Sequence, residues 1–253
     1  MKNKDIFTFR DAEKQAGPVA FSTMLKPAGS ACNLDCHYCY YLDKAVQYGG
    51  RQAVMSDELL ELYVRQYIEA NEVPTVQFCW HGGEPLLLGV DFYRKAMALQ
   101  EKYAAGKKIE NILQTNGTLV DEAWCDLFAG NNFLVGISLD GPQDIHDAFR
   151  LTKGGRPTFE RVMRTIEMFQ RSGVEYNTLS VVNRLCEGRG GEIYRFFRDT
   201  VHSRYMQFLP AVEHVVDKPG FHRPLIVSPD REGARLAEWS VTAEGYGTFL
   251  CDI

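Results

Sequence analysis

The sequence CNLDCHYCYYLDK occupies residues 32–44 and contains three of the seven cysteines of the chain. Cys32, Cys36 and Cys39 follow the spacing C-x3-C-x2-C, which is tight enough for one loop to wrap one inorganic centre. A four-iron, four-sulfur cube accepts one thiolate per iron, so three thiolates leave one iron open to a non-protein ligand. Structural zinc sites use four protein ligands, and His37 is a candidate for the fourth. Simple packing of buried cysteines is the third interpretation that this spacing allows.

Composition and charge narrow the class of protein. The chain has 253 residues, of which 45% are hydrophobic and 12% aromatic, enough to bury a core. The net charge is −5, from 28 basic and 33 acidic residues, and gives no support for nucleic-acid binding. The sequence shows neither an apolar run of roughly 20 residues nor the apolar region of a signal peptide. We therefore expect a soluble cytoplasmic protein with reduced thiols, in which clustered cysteines indicate metal binding or catalysis.

Short apolar, β-branched or aromatic runs alternate along the chain with segments of helical periodicity. The predicted strands are 19–25, 75–80, 109–113, 133–139, 174–182 and 205–210. The predicted helices are 57–70, 91–105, 121–129, 157–172, 191–199 and 242–252. This alternation implies right-handed βαβ units and a parallel sheet. The predicted fold class is α/β, a partial (β/α)6 barrel of the TIM type. Residues 1–18 form a lead-in, 19–253 form the core domain, and 183–191 and 213–235 form loops.

Each predicted strand ends in, or carries, polar or glycine-rich residues that strand propensity does not explain. The cysteine loop follows the first strand, HGGEP (81–85) the second, QTNG (114–117) the third and SLDG (138–141) the fourth. The fifth and sixth strands carry Asn177, Ser180 and Gln207. Ligands bind at the carboxyl ends of the strands in barrels and open α/β sheets, so all six features share one predicted site.

Together these motifs resemble those of the radical S-adenosylmethionine (SAM) superfamily. MLKPAGSACNLDCHYCYYLDK, WHGGEPLL, LQTNGTLVDEAW, FLVGISLDGPQDIHDAFR and RYMQFLPAVE resemble the anaerobic sulfatase-maturating enzymes in particular. The resemblance implies the barrel of the radical SAM type. It also implies that a [4Fe-4S] cluster cleaves SAM reductively and releases a 5′-deoxyadenosyl radical.

The resemblance also implies roles for individual residues. It implies cluster ligation by Cys32, Cys36 and Cys39, SAM binding by Tyr38, Gly82, Gly83, Glu84, Ser138, Arg150 and Val212, and substrate contact by Tyr41. His81 departs from the glutamine often found at its position. Other interpretations stay open: GGEP as an ordinary tight turn, Arg150 as a solvated surface residue, and Val212 as part of the core. The remaining cysteines are interpreted as structural, and His146 and Asp147 as structural or as residues that support the site from behind its ligands.

In the resembled family the radical abstracts a Cβ hydrogen from a cysteine or serine of a sulfatase, within a Cys/Ser-x-Pro-x-Arg segment, and formylglycine results. The resemblance implies an electron donor such as flavodoxin or ferredoxin. The alternatives are another radical SAM peptide-modifying enzyme and a non-catalytic metal-binding fragment.

The resemblance also implies a region that follows a helix like the last one here. In the family that region holds two auxiliary clusters and a catalytic aspartate, so the general base is expected to lie beyond Ile253. We therefore assign no catalytic base among these residues. We expect that the chain binds one cluster and SAM without completing the peptide oxidation.

Overall fold

Six parallel strands form one sheet in which the spatial order follows the chain order. In the computed structural model, which describes residues 8–11, 20–41, 54–217 and 224–253, each strand pairs with the next. The strands are β1 Met24–Leu25, β2 Thr75–Trp80, β3 Lys108–Thr115, β4 Phe133–Ser138, β5 Glu175–Val182 and β6 Met206–Pro210. This topology confirms the predicted partial (β/α)6 barrel. The first strand is shorter than predicted, and residue 19 lies outside the described residues, as does most of the lead-in.

Helices connect successive strands and cover one face of the sheet. They are α1 Asp57–Ala70, α2 Val90–Tyr103, α3 Glu122–Gly130, α4 Gln143–Phe149, α5 Phe159–Ser172, α6 Gly190–Arg195 and α7 Ala243–Asp252. A π-helical turn at Phe196–Thr200 extends α6. The hydroxyl of Ser56 accepts a hydrogen bond from the Leu59 N–H and so caps α1, and Asp121 caps α3 in the same way. The sequence pattern does not predict the short α4.

Alternation along the strands divides their side chains between two faces. Val76, Phe78 and Trp80 of β2 are buried in the core between sheet and helices, where they meet Leu60 and Val64 of α1. The intervening side chains of the strands line the other, concave face. That face carries the polar residues singled out in the sequence.

The prediction that residues 213–235 form a loop was wrong. A second, antiparallel sheet contains β7 His214–Val216, β8 Leu225–Val227 and β9 Arg235–Leu236, with β7 in the middle. Strands of two or three residues are too short for a periodic pattern to show. β7 pairs with both of the others, with Val216 opposite Leu225 and Val215 opposite Arg235. Val215 and Trp239 from this region pack with the cysteine loop in a second, smaller core.

No helix among the described residues is long and apolar enough to cross a membrane.

The two glycines of the HGGEP loop allow its backbone to lie against the residues that lead into Cys32. The Gly83 N–H donates to the Gly29 carbonyl at 3.0 Å, and the Glu84 N–H donates to the Ala31 carbonyl at 2.8 Å. A Cβ atom at Gly83 would lie 2.1 Å from the Ala31 oxygen, and one at Gly82 would lie 2.8 Å from the Gly29 oxygen. The glycines are therefore required by contact between two loops of the protein itself.

We expect Gly83→Ala to lower the free energy of unfolding by about 3 kcal/mol or more, because no rotamer change relieves a clash with backbone. Thermal unfolding followed by circular dichroism measures the effect. Gly247→Ala in α7 is the matched control, since a Cβ there meets no atom within 4 Å. Equal melting temperatures for the two variants would contradict this explanation.

Candidate functional site

The three cysteines of the C-x3-C-x2-C loop lie together at the carboxyl end of β1. All three are free thiols; Cys36 is buried, and Cys32 and Cys39 are half-buried. Burial raises the pKa of Cys32 to about 11 and that of Cys36 to about 12. Such thiols stay protonated at neutral pH until a metal stabilises the thiolates. A set of three closely spaced sulfur donors in this environment fits an iron–sulfur centre.

His37 does not join the cysteines as a fourth zinc ligand. It lines a groove of about 410 Å³ together with Asp35, Leu151 and Lys153. Among the described residues, no three His, Cys, Asp or Glu side chains converge on one metal-ion position. A cube needs no such common point, because each thiolate binds a different iron. The donor set is therefore better suited to a cluster than to a single zinc ion.

Backbone hydrogen bonds hold the cysteine loop in place. The Asp35 N–H donates to the Leu151 carbonyl at 2.8 Å, and the His37 N–H donates to the Phe149 carbonyl at 3.1 Å. The segment that contains Cys36 is thus paired with the chain that leaves α4. This pairing joins the loop after β1 to the chain after β4.

A buried carboxylate, Asp140, connects the loop to the mouth of the barrel. It accepts hydrogen bonds from the Tyr38 hydroxyl, from the Val181 N–H at 2.9 Å and from Arg150, whose Nη2 is 3.0 Å away. The Arg150 guanidinium also lies 5.6 Å from the centroid of the Tyr38 ring. Sequence reasoning missed Asp140, although its position directly after a strand in SLDG was a usable signal.

Arg150 is 8% exposed, so its interpretation as a solvated surface residue was wrong. Its Nε is a buried donor with no hydrogen-bond partner among the described residues. An unpaired buried N–H is costly and indicates a missing acceptor. A carboxylate such as that of SAM supplies one, and the residues present therefore fit this cofactor.

Glu84 occupies the interior rather than the mouth. Its carboxylate accepts from the Leu86 N–H at 3.0 Å, the Thr115 hydroxyl at 2.8 Å and the Asn116 N–H at 2.8 Å. Burial raises its pKa to about 7. The side chain therefore ties the HGGEP loop to the QTNG loop.

The other predicted site residues differ in exposure. Ser138 is buried at the end of β4, whereas Val212 is 56% exposed directly after β6, so its interpretation as a core residue was wrong. Tyr41 is buried, with the Lys26 Nζ 4.9 Å from its ring centroid and the His81 ring 6.2 Å away. Residues 42–44, the end of the cysteine motif, lie outside the described residues.

The concave face of the sheet holds a cavity of about 170 Å³. Its lining includes Gln114, Asn177 and Gln207, as expected from their places on the strands, and also Cys79 and His81. The Oδ1 atom of Asn177 is buried without a partner among the described residues. The His81 Nδ1 accepts from the Gly82 N–H at 2.7 Å, and burial lowers the pKa of the imidazole, which favours the neutral ring. The cavity therefore presents uncharged polar groups.

His146 and Asp147 support neighbouring elements, and the His146 Nδ1 accepts from the Asp140 N–H at 3.4 Å. His146 is fully buried, with its Nε2 3.0 Å from the Thr158 hydroxyl. The Asp147 carboxylate accepts from the N–H groups of Thr158 and Phe159 at the start of α5. Of the remaining cysteines, Cys125 and Cys186 are buried and Cys251 is exposed on α7.

Ile253 takes no part in the site. It follows α7 directly and is 39% exposed, one of the large apolar side chains that the described residues leave open to solvent. The prediction that the general base of the resembled family lies beyond Ile253 stays a prediction, because the described residues do not test it.

The fold and site are those of a partial (β/α)6 barrel with three free thiols at its mouth. The family model of the radical SAM superfamily matches residues 27–186. The chain belongs to the radical SAM superfamily.

Named relatives and solved structures narrow the similarity further. A serine-type anaerobic sulfatase-maturating enzyme of Bacteroides thetaiotaomicron is 46% identical over 231 residues, which are 91% of this chain and 55% of that protein. A cysteine-type enzyme of Clostridium perfringens is 38% identical over 202 residues, 79% of this chain and 54% of that protein. The structure of native anSMEcpe with bound AdoMet and Cp18Cys peptide superposes with a TM-score of 0.76 at 34% identity, over 90% of this chain and 57% of that one. The chain spans about half the length of these relatives.

We expect Asp140→Asn to lower the free energy of unfolding by about 3–5 kcal/mol, because the buried Arg150 charge loses its counter-ion. Urea denaturation at pH 7 measures the effect. Asp199→Asn breaks the exposed pair with Arg198 and should cost under about 1 kcal/mol. A similarly small loss for Asp140→Asn would show that Asp140 does not carry this network.

Glu84 should make stability depend on pH. Its carboxyl binds a proton more readily in the folded chain, where its pKa is about 7, than in the unfolded chain. The stability it contributes is therefore fully present below the ordinary pKa near 4.5 and is lost as pH rises through about 7. The loss should amount to about 3 kcal/mol in the unfolding free energy.

Urea titrations of the parent chain and Glu84→Gln at pH 5, 6, 7 and 8 measure this loss. The difference in unfolding free energy between the parent chain and Glu84→Gln should change by about 3 kcal/mol between pH 5 and pH 8. Glu110→Gln, at an exposed position on β3, is the control. Parallel pH profiles for the parent and Glu84→Gln would rule out the buried carboxyl as the cause.

Proposed function

We propose that this chain is the radical-generating core of an anaerobic sulfatase-maturating enzyme, which binds a [4Fe-4S] cluster and SAM and acts on a sulfatase polypeptide. The observation that carries the proposal is that one barrel mouth brings together three thiols and the buried, unpaired Nε of Arg150. The similarity to both serine-type and cysteine-type maturating enzymes supports the same function. When bound and reduced, the cluster supplies the electron that cleaves SAM to methionine and a 5′-deoxyadenosyl radical.

The residues of this chain bind and orient the two cofactors. Cys32, Cys36 and Cys39 provide three thiolates, one for each of three irons. Asp140 fixes the guanidinium of Arg150 so that its free N–H is available to the carboxylate of SAM. The aromatic ring of Tyr38 closes the buried side of the site.

The remaining contacts with SAM are assigned from the positions of the residues around the mouth of the barrel. Gly82, Gly83 and Glu84 form the segment that receives the amino group of SAM, through backbone oxygens because their N–H groups already donate within the protein. Ser138 at the end of β4 contacts the ligand, and the exposed Val212 lies against adenine. This arrangement excludes water from the reacting atoms, which protects a radical from side reactions.

The substrate is the cysteine or serine of a Cys/Ser-x-Pro-x-Arg segment in a sulfatase, which becomes formylglycine. The relatives are named as serine-type and cysteine-type enzymes, and the structural neighbour holds a peptide together with AdoMet. Tyr41, whose ring lies 6.2 Å from that of His81, is the residue of this chain assigned to the peptide. We place the reaction in the cytoplasm, with reduced flavodoxin or ferredoxin as the electron donor.

Anaerobic reconstitution with iron and sulfide, followed by metal analysis and a SAM-cleavage assay with dithionite, tests the cofactor part of the proposal. We expect about four irons per chain and formation of 5′-deoxyadenosine. Cys36→Ala should bind less than one iron per chain and form no 5′-deoxyadenosine, because one iron loses its thiolate. Cys251→Ser, at an exposed position on α7, should match the parent chain.

One bound zinc, with no spectral change on adding SAM, would overturn the cofactor part and favour a non-catalytic metal-binding module.

The substrate part is tested with sulfatase peptides that carry deuterium at Cβ of the target serine or cysteine. We expect deuterium to appear in 5′-deoxyadenosine, since this step requires only the radical and a peptide seated in the barrel. SAM cleavage without deuterium transfer from either peptide would contradict the sulfatase substrate and favour another radical SAM peptide-modifying enzyme.

A further inference from the structure

The side chain of Asn116 lies against the sulfur of Cys32. Its Nδ2 is 3.7 Å from the Cys32 Sγ, and the Leu34 backbone N–H approaches the same sulfur at 3.4 Å. The Cys32 Sγ therefore accepts hydrogen bonds from two N–H groups, one in its own loop and one in the QTNG loop after β3. Asn116 is buried, so this contact is shielded from solvent.

The orientation of the Asn116 amide is determined by its other partners. Its Oδ1 accepts from the Thr118 backbone N–H at 2.9 Å and from the Thr118 hydroxyl at 2.7 Å. A backbone N–H only donates, so the amide oxygen must face Thr118 and the NH2 group must face Cys32. The same NH2 group donates to the Asn33 Oδ1 at 2.9 Å, and the Asn33 Nδ2 donates to the Thr118 hydroxyl at 2.8 Å.

The backbone of Asn116 is held as firmly as its side chain. Its N–H donates to the buried Glu84 carboxylate at 2.8 Å. Gly117, with φ +76°, turns the chain directly afterwards, and a Cβ there would lie 3.0 Å from the Ile137 Cδ1. The amide is thus presented to the sulfur by a rigid loop.

We propose that Asn116 is a positioning residue that sets the reduction potential of the cluster through its N–H···S hydrogen bond to Cys32. The inference rests on the proposed function, because it requires Cys32 to be a cluster ligand. Reduction adds negative charge to the cluster and its sulfurs, and an N–H donor stabilises that charge, which raises the potential. Hydrogen bonds from residues outside the ligand set are a known means by which a protein tunes its metal.

The test is a redox titration of the anaerobically reconstituted chain, without SAM, followed by electron paramagnetic resonance. Asn116→Ala removes the donor without adding charge. We expect it to lower the equilibrium constant for one-electron reduction about tenfold, which is a shift of about 59 mV to more negative potential.

Thr118 provides an independent variant that leaves Asn116 in place. Thr118→Val removes the hydroxyl that orients both amides, and it should shift the midpoint in the same direction by a smaller amount. Thr118→Ser keeps the hydroxyl and should restore the parent midpoint. Asn131→Ala removes an amide that instead bonds to the Leu127 carbonyl, and it should titrate like the parent chain.

Parent midpoints in both Asn116→Ala and Thr118→Val would overturn the inference, even if their iron loading falls. If Asn116→Ala binds no cluster, Thr118→Val decides the question. If the parent chain binds a cluster but does not cleave SAM, the proposed function fails while the midpoints still decide the role of Asn116. If the parent binds no cluster, both proposals fall.

Discussion

The buried carboxylate of Asp140 is the interaction on which the site depends. One oxygen meets Arg150 and the Val181 N–H, and the other accepts from the Tyr38 hydroxyl. These partners come from the cysteine loop, from the end of α4 and from β5. A buried charge is costly without its partners. The three segments are therefore held together only when all of these contacts are made. This arrangement leaves the Arg150 Nε without a hydrogen-bond partner among the described residues.

Glu84 is a second buried carboxyl group that joins separate segments of the chain. It links the HGGEP loop to the QTNG loop, while the glycines before it let the same loop lie directly on the residues that lead into Cys32. The residue types of this motif are thus explained largely by contact between loops. These loops meet because they all lie at one end of the barrel.

Burial raises the pKa values of the Cys32 and Cys36 thiols, so thiolate formation at these two residues depends on their surroundings. Cluster insertion must release protons from Cys32 and Cys36, and the energy that does so comes from the metal. The hydrogen bonds to Cys32 from Leu34 and Asn116 favour the charged form. Both donors lower the pKa of Cys32, against the larger effect of burial, which raises it.

Many of the strands and helices were predictable because each is determined by a pattern of neighbouring residues. Strand β2 and helix α1 were predicted with their observed limits, since alternation and helical periodicity reflect burial of one face. The strands β7, β8 and β9 were not predicted, because runs of two or three residues are too short for an alternating pattern to show. The resemblance indicated the cysteines and Arg150 as candidate site residues, but it gave no hint that Asp140 pairs with Arg150 or that Asn116 meets Cys32.

The sequence by itself determined which residues can provide thiolates and on which strand ends they lie, since spacing and periodicity are properties of the chain. Only the tertiary structure decided the charge and hydrogen-bond partners of each group. Those depend on burial and on contacts between residues as far apart as Tyr38 and Asp140. Such contacts leave no periodic trace in the sequence, yet they decide which polar groups are satisfied by the protein and which remain for a ligand.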